Sequence, residues 1–218
     1  MPAVLAGCRA HASAALRGSL VDLPWWTGPR LVLVFAPIMG LACGSFSVNA
    51  PGRAPLMLYA ALKMPFLILM TAALCLPPFF AMHAALGVRR DFPISLRAVM
   101  GAQGVAALAL AALAPLIPIL YTATDSKDIA TLMCAACFAA AAAASLLIPF
   151  RVYRAADRDT PVHRWLLLIW LVLYAFVGTQ LGWILRPFVG SPGTTVAPFR
   201  TDALTNGYVE VTQMLFGG

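Results

Sequence analysis

The chain has 218 residues, of which 61% are hydrophobic and only 11% charged, about half the charged share of a soluble domain. So few charges cannot cover the surface of a soluble fold, so a water-soluble enzyme or binding domain is excluded and a polytopic membrane protein is expected. The net charge of +7 falls in short connections between apolar runs, where it acts as a topology signal and meets lipid headgroups; nucleic acid is not implied.

Residues 1–30 are expected to be a cytoplasmic N-terminal tail with an interfacial anchor. Leu5-Ala6-Gly7-Cys8 has the shape of a lipoprotein cleavage box, but the four residues before it leave no space for an apolar targeting region. Arg9 falls in the same helical stripe as Leu5, Leu16 and Leu20, which argues against an amphipathic surface helix. Pro24-Trp25-Trp26 reads as the aromatic anchor.

A transmembrane bundle is expected over residues 31–188. The first span covers about 31–46, with Pro37 inside it and a seam of small residues at Gly40 and Gly44. After a polar turn, a short apolar segment ending at Lys63 is too short to cross a bilayer and reads as an interfacial helix. The second span, about 64–86, is expected to break at Pro77-Pro78, which removes two amide donors. The third span, about 101–121, carries Pro115 and Pro118 near its far end. A tight acidic turn at 125–128 leads into the fourth, about 129–150, whose alanine run from 139 to 144 is expected to pack among neighbouring helices instead of facing lipid. The fifth span covers about 165–185, with small residues one turn apart at Gly178 and Gly182, and residues 189–218 form an extracytoplasmic tail.

Lys and Arg fix the threading. The N-terminal tail and the loops after spans two and four hold ten of them, and the opposite side holds five. The positive-inside rule then puts the N-terminus in the cytoplasm and the C-terminus outside. The expected fold is an all-α polytopic membrane helix bundle of about five transmembrane helices plus a short interfacial helix.

Chemistry-bearing patterns are few. Cys134-Ala-Ala-Cys137 lacks the second Cys or His pair that a structural metal site needs, so both thiols are expected only to pack. His83 shares its span with no carboxylate, and a bond to a nearby carbonyl or headgroup is expected of it. His11 and His163 lie in polar regions and suggest no role. All eight acidic residues fall in loops or tails, so no Ser-His-Asp or paired-carboxylate arrangement can be assembled. No catalytic residue, metal or cofactor is implied.

The polar side chains expected inside spans are Thr71, Gln103, Thr179 and Gln180, with Lys63 and Arg186 at span ends. Gln180 is the most costly to leave unpaired and reads as a bond to another helix, functional or simply structural. Gln180, Trp183 and Arg186 recur every three residues along roughly one face, and Pro187 ends the helix. Arg186 is either a partner contact or a cation reaching for lipid phosphate. With Pro187 and Phe188 of the following apolar loop, these residues form the candidate partner or lipid contact.

Lys63-Met-Pro-Phe-Leu-Ile-Leu-Met-Thr with Cys75-Leu-Pro, and Gly178-x-Gln-x-Gly-Trp-x-Leu-Arg-Pro-Phe-x-Gly-Ser-Pro, resemble a bacterial family of small five-span membrane proteins similar in organisation to the Yip1 family. Asn206-Gly-Tyr208 resembles the Asn-Phe-Tyr that closes the family's tail, with Gly207 a departure. The resemblance implies the five-span fold over residues 31–208 and supplies no established activity to carry over. The small-GTPase binding of eukaryotic Yip1 proteins is tied to no residue motif present here.

The resulting expectation is a non-enzymatic subunit or scaffold of a larger assembly in a bacterial cytoplasmic (inner) membrane. Its partners are lipid and other membrane subunits or copies of itself. A small transporter or channel, with its passage near Pro77-Pro78 and Gln180, is the alternative.

Overall fold

A computed structural model of the chain describes residues 6, 13, 24–46, 54–124, 126–186 and 188–189. Pro187, most of residues 1–23 and all of residues 190–218 lie outside them, so the readings of both tails and of the Asn206-Gly-Tyr208 motif are not addressed.

The described residues form six α-helices and one 3₁₀ turn, without a strand: α1 Thr27–Gly44, α2 Ala54–Ala85, the turn Arg89–Asp91, α3 Phe92–Leu113, α4 Leu116–Tyr121, α5 Lys127–Ala155 and α6 Pro161–Leu185. Five of the six helices, all but α4, are long and apolar enough to cross a membrane.

The helix boundaries correct three sequence expectations. Residues 54–63 are no separate interfacial helix, because they continue into the second span as the 32-residue α2. Pro65, Pro77 and Pro78 all lie inside α2, and the helix runs through them without interruption. Each proline removes one amide from a ladder whose flanking bonds still hold, so the expected break at Pro77-Pro78 does not appear. The third span begins at Phe92, where Pro93 suits the first turn, and Pro115 closes it early, leaving α4 as a separate short helix.

Both helices that run toward the arginine-rich loops end in left-handed residues. After α2, Gly87 has φ +74° and Val88 N–H donates to His83 O at 3.0 Å. After α5, Asp157 has φ +54° and Arg158 N–H donates to Tyr153 O at 2.8 Å. These reversals satisfy orphan carbonyls and fix where the last turns of α2 and α5 stand.

α1 is the hub, lying closest to α2 and α3, while α5 packs on the far side of α3 and α6 against α2. Small residues allow this. A Cβ at Gly40 would stand 2.6 Å from Ala61 Cα, and one at Gly44 would stand 2.7 Å from Met57 Cα. Gly28, which drew no notice in the sequence, meets α3 in the same way, with a Cβ there 2.6 Å from the Met100 carbonyl carbon. The second seam is looser: Gly178 faces the Thr71 side chain at 3.4 Å and Gly182 faces Leu67 Cδ1 at 4.0 Å. Away from α1, aromatic rings fill the wider space between α2, α3 and α6, with Phe79 and Trp170 at 4.8 Å and Trp170 and Tyr174 at 5.8 Å between centroids.

α5 buries one stripe, Cys134, Cys137, Ala141, Ile148 and Val152, at the alternating three- and four-residue spacing of a single helical face. The other alanines of its run, Ala139, Ala140, Ala142, Ala143 and Ala144, are exposed, as are Ala135 and Ala136. The expected packing of the whole run inside the bundle is therefore corrected: within one chain most of it faces outward.

Candidate functional site

Polar side chains gather at three levels of the bundle. The first lies where α2 and α5 end and α3 and α6 begin. His83, in the last turn of α2, is fully buried, with Nδ1 2.9 Å from Phe79 O and Nε2 2.7 Å from Ser95 Oγ. A carbonyl accepts only, so Nδ1 carries the proton and Nε2 of the neutral ring accepts from Ser95. Tyr153 in turn donates to Ser95 Oγ at 2.7 Å. The chain Tyr153 to Ser95 to His83 to Phe79 O thus joins α5, α3 and α2 with every donor used. Phe79 and Phe92 hold the imidazole edge-on at 4.5 and 5.4 Å.

One turn nearer the loops, the Asp91 carboxylate lies 3.3 Å from His163 Nε2 and 3.4 Å from Arg158 Nε. His163 is almost fully buried, its Nδ1 bonded to Thr160 Oγ1 at 2.7 Å and its ring 5.0 Å from Tyr153. Outside the spans, two hydrogen bonds from Arg164, at 2.9 and 3.0 Å, hold the Asp159 carboxyl below the usual carboxylate range.

The expectation for His83 was a bond to a nearby carbonyl, and Phe79 O is that partner. Ser95 beside its other nitrogen was not foreseen, nor was any role for His163. A serine hydroxyl on a histidine nitrogen has the makings of a nucleophile and its base. Here His83, Ser95 and Tyr153 are all shut away from solvent, and the hydroxyl is spent on binding three helices together.

The second level is near the middle of the spans. The Tyr174 hydroxyl lies 2.9 Å from Gln103 Oε1 and 3.2 Å from Ile68 O, joining α6 to α3 and α2. Thr71 donates to Leu67 O at 2.7 Å within its own helix. Gln103 thus makes the kind of cross-helix bond that the sequence assigned to Gln180.

The third level holds the sequence candidates. Arg186 stacks on Trp183 with its guanidinium carbon 3.2 Å from a ring centroid, and both are half-buried, as is Gln180. Phe188 packs partly against the main core and Val189 is buried in it, so the start of the apolar loop folds back on the bundle. Lys63 is only 7% exposed, its Nζ 5.9 Å from the Phe188 ring centroid. It is the tenth of the 32 residues of α2, roughly 13 Å from the helix start. Gly178 opposite Thr71 and Gly182 opposite Leu67 set an antiparallel register; one further turn puts Arg186 level with Lys63. No group of three or more metal-ligating side chains suited to an ion occurs among the described residues.

Comparison with protein-family models, with curated proteins and with solved structures found no match.

Proposed function

We propose that this chain is a non-enzymatic integral membrane subunit or scaffold, held against other protein in a bacterial cytoplasmic membrane. Its N-terminus lies in the cytoplasm and its C-terminus outside. The observation that carries this reading is the outward alanine face of α5, exposed at Ala135, Ala136, Ala139, Ala140, Ala143 and Ala144. Alanine gives little to a lipid-facing surface, whereas small side chains let a second helix approach closely. The neighbours expected for this run are then other chains, copies of this one or other membrane subunits.

Gln180, Trp183, Arg186, Pro187 and Phe188 are a second candidate contact, with protein or with lipid phosphate. The Yip1-like resemblance, with its five-span plan and no established activity to carry over, belongs to the same reading. Purification in mild detergent followed by mass measurement tests it: the chain is expected in an assembly, and a clean monomer is the contrary result.

Lys63 favours the alternative of a small transporter or channel. Its buried side chain lies on a helix long and apolar enough to span a membrane, and buried ionisable groups on such helices often mark the path of a solute. A flux assay in liposomes separates the two readings: solute carried by a monomer supports transport, and an assembly without flux supports the scaffold.

A further inference from the structure

Ser95 Oγ has a single hydrogen to give and two acceptors in reach. One is His83 Nε2 at 2.7 Å, and the other is the Asp91 carbonyl oxygen, one turn back at the start of α3, at 3.2 Å. Tyr153 donates to the same hydroxyl at 2.7 Å, and His83 Nδ1 gives its proton to Phe79 O at 2.9 Å. With the imidazole neutral, Ser95 donates to Nε2, and its hydrogen is turned away from the Asp91 carbonyl.

A second arrangement of protons satisfies the same heavy atoms. When the imidazole takes up a proton, Nε2–H donates to Ser95 Oγ and the serine hydroxyl turns to the Asp91 carbonyl. The serine oxygen then accepts twice, from Tyr153 and His83, and donates once, which fills its bonding capacity. Nδ1 stays on Phe79 O in both states. Only the hydroxyl hydrogen has to move, and neither arrangement strands a buried donor.

We propose that His83 is a proton-binding site buried at the loop end of the bundle, with Ser95 as the hydroxyl that turns from its Nε2 to the Asp91 carbonyl when the ring becomes an imidazolium. The proton comes from water and returns to it, and no other bond is made or broken. Such a site does not depend on whether the chain is a scaffold or a transporter.

A buried charge needs compensation. The turn before α3 supplies it in Asp91, whose carboxylate stands 3.3 Å from His163 Nε2 on α6 and 3.4 Å from Arg158 Nε in the loop after α5. Asp91 attracts a charge on either histidine, and charges on the two rings repel each other. α5 adds Tyr153 to the surroundings and α3 adds Ser95. Arg89, Arg90, Arg97, Arg151, Arg154 and Arg164, at the same end, are all exposed. His83, Ser95, Tyr153 and His163 are buried, whereas the Asp91 side chain is 17% exposed, so the proton enters from the loops.

The test labels histidine with nitrogen-15 in the full chain, reconstituted in lipid nanodiscs, and follows the ring nitrogens by NMR as pH falls from about 8 to about 5, the ordinary histidine range. His11→Gln and His163→Gln identify the remaining signals as those of His83. The His83 ring is expected to pass reversibly from one protonated nitrogen to two while the protein stays folded, with the Nδ1 proton present throughout. In Ser95→Ala the imidazolium loses a charge-assisted acceptor and the neutral ring only an ordinary donor, so the midpoint is expected about half a unit to one unit lower. Ser95→Thr is expected to restore it. Asp91→Asn keeps the backbone carbonyl and removes the counter-charge; made together with His163→Gln, it is expected to lower the midpoint below that of His163→Gln alone. A His83 ring that keeps a single proton across the range, or a midpoint that Ser95→Ala or Asp91→Asn leaves in place, overturns the proposal. The parent and the Asp91→Asn pair keep the result decisive even where Ser95→Ala folds poorly.

Discussion

Ser95 Oγ lies 2.7 Å from His83 Nε2, and neither side chain reaches solvent. The serine is the shared point of the network, since Tyr153 also donates to it. Ser95→Ala therefore leaves an imidazole nitrogen and a phenol unpaired in an apolar setting, at about 1–3 kcal/mol for each buried group. Its melting temperature in detergent is expected to fall by several degrees. Thr122→Ala, which removes an exposed bond to Ile119 O, should be near neutral. Equal melting of the two variants rules out the network as a source of stability.

Close approach of α1 gives a second prediction. Gly40→Ala and Gly44→Ala drive a methyl into the backbone of α2, where no side chain can swing aside; overpacking of this kind costs about 1–3 kcal/mol. Gly182→Ala meets only the end of Leu67 at 4.0 Å and should be close to neutral. Gly87 is sensitive for another reason, its φ of +74° with open space around it, so any other side chain there is strained. Thermal melting of the three alanine variants orders them, and a Gly182→Ala loss as large as that of Gly40→Ala contradicts the assignment.

How far the sequence led is clearest in these two cases. Gly40 and Gly44 were legible because one helical turn separates them and the motif needs no partner to be recognised. The His83 network was not, because its members stand 12 and 58 residues apart and pair only once four helix ends meet. Asp91 and His163 escaped for the same reason: the acid sits in a loop by sequence, and the fold brings it under the first turn of α6. The outward alanines of α5 were misjudged because composition reports weak apolarity without saying which side of the helix the rest of the chain covers.

Threading is checked by reporter fusions after Arg158 and at the C-terminus. The ten-to-five split of basic residues and the five spanning segments predict opposite sides, with the Arg158 fusion in the cytoplasm. The same side for both fusions is incompatible with five crossings.

Asp159 provides a pH prediction. Its carboxyl is held below the ordinary range of about 3.9, first by hydrogen bonds from Arg164 and then by the charges of Arg164 and Arg154. A depressed folded-state value stabilises the turn between α5 and α6 above the unfolded pKa, and the effect is lost as pH falls through the folded one. Arg164→Gln should raise the Asp159 midpoint in a carbon-13 carboxyl titration. An unchanged midpoint removes Arg164 as the cause. Because the pair is exposed, the effect on global melting should be small.

The last prediction bears on the scaffold reading itself. Ala136, Ala140 and Ala143 share one outward face of α5, at the three- and four-residue spacing of helix neighbours. If that face meets only lipid, leucine at these positions is harmless, because it adds apolar surface to an apolar solvent. If it meets another helix, each leucine holds the two backbones apart and forfeits the close packing that drives association in a bilayer. Ala136→Leu, Ala140→Leu and Ala143→Leu combined are therefore expected to convert the assembly to monomer in mild detergent while the melting temperature of the monomer stays unchanged. The readout is mass by light scattering with the detergent contribution subtracted, alongside melting of the same samples. Exposed Leu33→Ala, on α1, is the control and should leave the mass unaltered. A triple variant that assembles like the parent shows that the alanine face is a lipid face, and the partner contact must then be sought at Trp183 and Arg186.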